Sequence, residues 1–88
     1  MHKLHKILKQ IHKEFEAAED YIHCASVYED ERRDIYRSLS RDEISHAEKL
    51  INMCDKHIET EMMSVWDFEK EMMKEKLLHL KTRMSHID

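Results

Sequence analysis

Three side chains of this 88-residue sequence could hold a metal cation between them: Glu14, Glu43 and His46. Glu43 and His46 are three residues apart, so a helix would carry the carboxylate and the imidazole one turn apart on a single face. Glu14 lies on a different stretch. There it is the one charged member of a heptad row that otherwise reads Ile7, Ile11, Ala18, Tyr21, Ala25 and Tyr28. Burying an unpaired carboxylate costs several kcal/mol, so a carboxylate in such a row calls for a partner or a cation. Carboxylates with an imidazole are the donors that suit iron, manganese and zinc.

The elements that must position these residues follow from the hydrophobic spacing. From His2 to Tyr28 the apolar residues recur at helical intervals through Leu4, Ile7, Leu8, Ile11, Phe15, Ala18, Ile22 and Ala25. Glu29, Asp30 and Glu31 form an acidic break that suits the start of a second helix. In that helix Tyr36, Leu39, Glu43, His46, Leu50 and Met53 share a row, with Ala47, Ile51, Cys54 and Ile58 beside it. Asp55 to Thr60 is the softest place for the next break. A third amphipathic segment then carries Met62, Trp66, Met73, Leu77, Leu80, Met84 and Ile87. If the chain reverses near residue 29 or 30, Glu14, Glu43 and His46 all lie roughly 20–25 Å from the bend, at about 1.5 Å per residue. The three are level with one another.

Simpler roles exist for several of these residues. Ser40, Arg41, Asp42 and Glu43 also fit a capping box, which would make Glu43 a first-turn residue and no ligand. Glu16 falls on the face of His12, Asp20 and His23 and reads as solvated. The remaining histidines read as surface residues, although His57 continues the row of Glu43 and His46 one turn beyond Met53. Tyr21, one heptad from Glu14, could place its hydroxyl beside a metal ligand or be a core phenol.

Composition narrows the class. The sequence has no glycine and no proline, 39% charged residues and 7% aromatics, which points to an all-α chain. The expectation is one domain over residues 1–88, an antiparallel two-helix hairpin over about 2–58 followed by a C-terminal helix over about 60–87. A chain this short buries only roughly 60–65% of its extended surface alone, and dimerisation or a bound metal would relieve that. Acids and lysines are interleaved to a net charge of −4, so no basic face for nucleic acid is expected. No apolar run nears the roughly 20 residues of a membrane span, and no signal peptide is evident, which gives a cytoplasmic expectation. Cys24 and Cys54, with no C-x-x-C spacing, read as buried reduced thiols.

In di-iron carboxylate bundles, two helices each supply a lone Glu and two others each supply a Glu-x-x-His. This chain has one of each, so the expected completion is a homodimer. KEFEAAEDY (Lys13 to Tyr21) and SRDEISHAEKL (Ser40 to Leu50) resemble the encapsulated ferritin-like proteins, small helical-hairpin members of the ferritin-like superfamily, over roughly Ile7 to Asp55. The resemblance implies a ferritin-like four-helix bundle made by two antiparallel chains. It implies a ferroxidase that oxidises Fe(II) to Fe(III) with O2, in iron storage or detoxification, with two irons per dimer. Glu14, Glu43 and His46 would be the metal and catalytic residues, Tyr21 the tyrosine beside the site, and Glu16 an acid that draws iron inward. Assembly of dimers into a ring, and an encapsulin shell as partner and compartment, are implied as well. Two departures stand out. Lys13 replaces a second acid of the family's iron entrance, and the tail KTRMSHID lacks the small-and-aliphatic stretch that docks members in a shell. Competing expectations are a non-enzymatic helical assembly module, in which Glu14 and His46 fix the register, and a structural site for zinc or manganese.

Overall fold

In the computed structural model, which describes residues 2–87, the chain forms three long helices: α1 (His2–Val27), α2 (Glu31–His57) and α3 (Met63–Ile87). A short 3₁₀ turn, Thr60–Met62, leads into α3. With no glycine or proline to break a helix, the reversal between α1 and α2 depends on side-chain capping. Asp30, in an extended conformation, caps α2 by accepting the Arg32 N–H at 3.0 Å. The Arg32 guanidinium closes back on the same carboxylate, with Nε donating to Oδ1 at 3.0 Å and Nη2 to Oδ2 at 2.6 Å. The side-chain hydrogen bonds from Arg32 first, and its backbone N–H second, hold the Asp30 carboxyl down to about 2. A carboxyl depressed by folding stabilises the fold above its unfolded pKa, 3.8 here, and loses that effect as pH falls through its folded value. The melting temperatures of wild type and Asp30→Ala are therefore expected to differ above about pH 4 and to converge near pH 2.

Helices α1 and α2 run antiparallel and meet along Ile11, Ala18 and Ala25 of α1 and Ser40, Ile44 and Ala47 of α2, all buried. Small side chains at Ala18, Ala25, Ser40 and Ala47 let the backbones approach closely. At that level the Ser40 hydroxyl donates to the Ala18 carbonyl oxygen at 3.2 Å. Ser40 thus lies in the middle of α2, and the capping-box alternative for Ser40 to Glu43 is overturned: Asp30 starts the helix ten residues earlier. Ser40→Ala should cost about 1 kcal/mol by losing one buried hydrogen bond, whereas Ser40→Leu should cost about 1–3 kcal/mol by overpacking. Denaturant titration of the two variants checks the order.

Helix α3 buries Trp66, Met73, Leu80 and Met84 against the hairpin. Its spacing of sevens followed by a four is the helical stripe expected from the sequence. The Trp66 indole donates to Asp55 Oδ1 at 3.0 Å and Lys70 Nζ donates to the same oxygen at 2.8 Å. Lys81 reaches Glu48 at 3.1 Å, and Lys76 pairs with Glu19 of α1. Pairing of 70 with 55 and of 81 with 48 makes α3 antiparallel to α2, so the bundle runs up, down, up. Lys70, then Trp66, hold the Asp55 carboxyl below its usual range. Cys24 and Cys54 are free thiols. Cys54 is buried, and that burial pushes its thiol upward, whereas Cys24 is half-buried.

The placement of α3 decides what the rest of the hairpin can do. Glu48 and Asp55, which hold α3, project from α2 roughly 180–200° around the helix from His46 at about 100° per residue. Glu19 lies roughly 140° around α1 from Glu14 by the same measure. Helix α3 therefore covers one side of the hairpin, and the heptad rows of Glu14 and of Glu43 and His46 lie on the other. On that other side Ile7, Tyr21, Tyr36 and Leu39 are only half-buried. Ile35 and Met53 are exposed to 56% and 42%.

Candidate metal centre

Glu14, Glu43 and His46 converge. Each offers one donor atom, and these atoms all lie within 4.8 Å of one another. His46 Nδ1 is 3.5 Å from Glu14 Oε2 and 3.8 Å from Glu43 Oε2. Glu14 comes from the middle of α1; Glu43 and His46 come from successive turns of α2, as their three-residue spacing requires. The cluster is graded in exposure, with the Glu43 and Glu14 side chains 21% and 26% exposed and His46 52%. A cation could reach it from solvent on the His46 side.

The electrostatics suit a cation. Glu14 Oε2 is shielded from solvent and has no hydrogen-bond partner. A buried acceptor left unmatched costs roughly 1–3 kcal/mol, more when charged. Proximity to Glu14 pushes the Glu43 carboxyl above its ordinary value, first through a hydrogen bond shared with that carboxyl, then through burial and through repulsion from its charge; His46 acts in the opposite direction. Two crowded carboxylates favour a bound proton or a bound cation. Hard oxygen donors with one imidazole fit iron, manganese or zinc. Three donors leave coordination positions open on any of these ions, for water, a substrate or further donors.

The other sequence-derived candidates fall elsewhere. Glu16 is exposed and borders a groove between α1 and α3 with His12, Glu19, Glu69 and Lys76, roughly 200° around α1 from Glu14. Tyr21 is half-buried on the same side as Glu14 but one heptad toward the turn, where its ring packs on Tyr36 with centroids 6.1 Å apart. Tyr36 stacks in turn on Tyr28 at 5.8 Å, and the Arg32 guanidinium covers Tyr28 at 4.0 Å. His57 lines a cavity at the opposite end of the hairpin. Sequence reasoning did not foresee the clasp of Asp55 with Trp66 and Lys70. Those residues are 11 and 15 positions apart across a turn, beyond any single-helix period.

Compared with family models, with curated proteins and with solved structures, the chain matches none. The functional reading therefore rests on the residues themselves.

Proposed function

We propose that the protein is a ferroxidase whose di-iron centre is completed by a second copy of the chain. The observation that carries the proposal is the level convergence of a lone Glu on α1 with a Glu-x-x-His on α2. Doubling this set by a two-fold axis gives four carboxylates and two imidazoles, the donor set of di-iron carboxylate bundles. Support for the doubling comes from α3, which packs on the far side of the hairpin and leaves the site-bearing side free. Two hairpins facing each other there would form the four-helix bundle.

Iron is the substrate in this reading. Each Fe(II) gives up one electron, O2 accepts the electrons, and a two-metal set lets two such donors stand side by side. Glu14 brings a shielded carboxylate oxygen that makes no hydrogen bond within the chain. Glu43, whose carboxyl is raised by Glu14 and by burial, must be ionised to hold a cation, so affinity should rise with pH. His46, half in solvent, is the side chain an arriving ion meets first. Tyr21 stands one turn-pair away with its phenol on the same side. The resemblance assigns it a place beside the metal, and its tilted contact with the Tyr36 ring would keep it from swinging into the site.

The test is an anaerobic Fe(II) titration of metal-free protein, followed by admission of O2 while ferric absorbance is recorded. Saturation near one iron per chain and fast oxidation, both lost in Glu43→Ala, are expected. Oxidation no faster than that of iron in buffer would overturn the proposal. The competing assembly-module reading draws on the 3.5 Å approach of His46 to Glu14. It is distinguished by a chelator, which would then leave both the association state and the melting temperature unchanged.

A further inference from the structure

A second group of metal-capable side chains lies at the end of the hairpin farthest from the α1–α2 turn, around a cavity of about 520 Å³. Met53, Cys54, His57 and Met62 all line it, bringing two thioethers, a thiol and an imidazole. Helical spacing accounts for three of them. His57 is three residues after Cys54 and four after Met53, so all stand within about one turn at the end of α2. Met62 comes from the 3₁₀ turn that follows. Leu4, Ile7 and Ile58 supply apolar wall, and exposed Lys3 and Glu59 add one charge of each sign. Cys54 and His57 lie roughly 12–17 Å along α2 from His46, at 1.5 Å per residue. An ion held here would be separate from one held by Glu14, Glu43 and His46.

We propose that this cavity holds a soft monovalent cation, Cu(I), between Met53, Cys54, His57 and Met62. The proposal does not depend on the iron reading. Thiolate and thioether sulfurs select Cu(I), imidazole suits it as well, and carboxylates suit the harder ions considered for the other cluster. Zinc would accept the thiolate and the imidazole but gains little from thioethers. Core packing is enough to explain Met73 and Met84, which are 1% and 5% exposed. It does not explain Met53, which is 42% exposed and lines the cavity.

Cys54 is the opposite case, buried, with its thiol pushed upward by that burial and then by the charge of Asp55. It stands protonated at neutral pH, and Cu(I) takes the proton's place. An S–Cu bond forms as the S–H bond breaks, H+ passes to solvent, and no oxidation state changes. Asp55 is no competing ligand, because Trp66 and Lys70 both donate to its carboxylate. His57 ends α2 and is exposed, where the unpaired carbonyls of a helix terminus favour positive charge. The aliphatic wall keeps water from the ion on the bundle side.

The test titrates reduced, metal-free protein under nitrogen against Cu(I) bicinchoninate, whose colour falls as the protein withdraws the ion. One Cu(I) per chain and a new near-ultraviolet sulfur-to-copper band are expected. Cys54→Ala should lose both, and Cys24→Ser should keep both. Met53→Leu combined with Met62→Leu conserves volume. It should weaken Cu(I) binding at least about 10-fold, with helicity by circular dichroism and Fe(II) saturation unchanged. Cu(I) held as tightly by that double variant as by wild type would reduce the site to an ordinary thiol and overturn the proposal. Loss of the ion in Cys24→Ser would place it between thiols of different copies, and loss in Glu43→Ala would place it at the carboxylates; either result overturns the proposal as well. If Cys54→Ala loses helicity, the methionine pair decides, because it leaves the thiol in place.

Discussion

Alanine in place of Glu14 is expected to slow iron oxidation by at least ~100-fold, because even the outer partners of metal ligands are worth about 10–100-fold. It should do so without loss of fold. Glu14 Oε2 makes no hydrogen bond, the His46 imidazole 3.5 Å away is half-exposed, and the Glu14 charge raises the cost of ionising Glu43. Removing it takes away more repulsion than attraction, so the metal-free variant should melt no lower than wild type at neutral pH. The sign for Glu43 follows from the same crowding. A carboxyl whose folded pKa is raised destabilises the fold while it is ionised, so the penalty holds above the folded pKa and fades as pH falls through it toward the unfolded value of 4.5. Metal-free protein should therefore gain stability from this group on mild acidification, and Glu43→Gln should melt higher than wild type at pH 7. Rapid mixing with O2 and thermal melts across pH measure both quantities. Wild-type oxidation in Glu14→Ala would sink the ferroxidase reading. A lower melting temperature in Glu43→Gln would show instead that the carboxylates stabilise the bundle.

The second large effect is structural. Trp66 is among the largest fully buried side chains and is 1% exposed. Trp66→Ala should cost about 3–5 kcal/mol from lost burial and the cavity left behind. A chain of this length has only roughly 4–13 kcal/mol in total at about 0.05–0.15 kcal/mol per residue, so α3 should undock at moderate temperature. Trp66→Phe keeps most of the packing and gives up the hydrogen bond to Asp55, for about 1–2 kcal/mol. Denaturant unfolding followed by far-ultraviolet dichroism compares the two. Equal losses would mean that the Asp55 hydrogen bond, and not the indole's volume, holds α3 in place.

The helices were legible because their signals are periodic. The stripe from Leu4 to Ala25 buries Leu4, Ile11, Phe15, Ala18, Ile22 and Ala25 and leaves Ile7 and Leu8 half-buried at its edge; the stripe from Trp66 to Met84 buries all but Leu77 of the residues that the spacing selects. The acidic break was legible in place but not in mechanism, since an aspartate cap reinforced by the next-but-one arginine has no hydrophobic period to reveal it. The convergence of Glu14, Glu43 and His46 was legible because two rows of known pitch, folded about one turn, can be aligned by counting residues. Ser40 was ambiguous for a physical reason: a serine three residues before a glutamate satisfies both a cap and a close helix contact, and only the partner helix decides between them. The clasp of Asp55 with Trp66 and Lys70 lay beyond reach because it depends on how two extended residues, Ile58 and Glu59, and a single 3₁₀ turn redirect the chain.

Every donor of the cluster belongs to α1 and α2, and every anchor of α3 faces away from it. On the ferroxidase reading, drift in α3 would answer to packing, while drift along the Glu14 and His46 rows would answer to chemistry. A saturation-mutagenesis library should divide along that line. Substitutions at exposed positions of α3 such as Leu78 and Phe68 should pass a selection for iron handling, and those that fail within α3 should be rescued at lower temperature. Failures at Glu14, Glu43 and His46 should persist at every temperature.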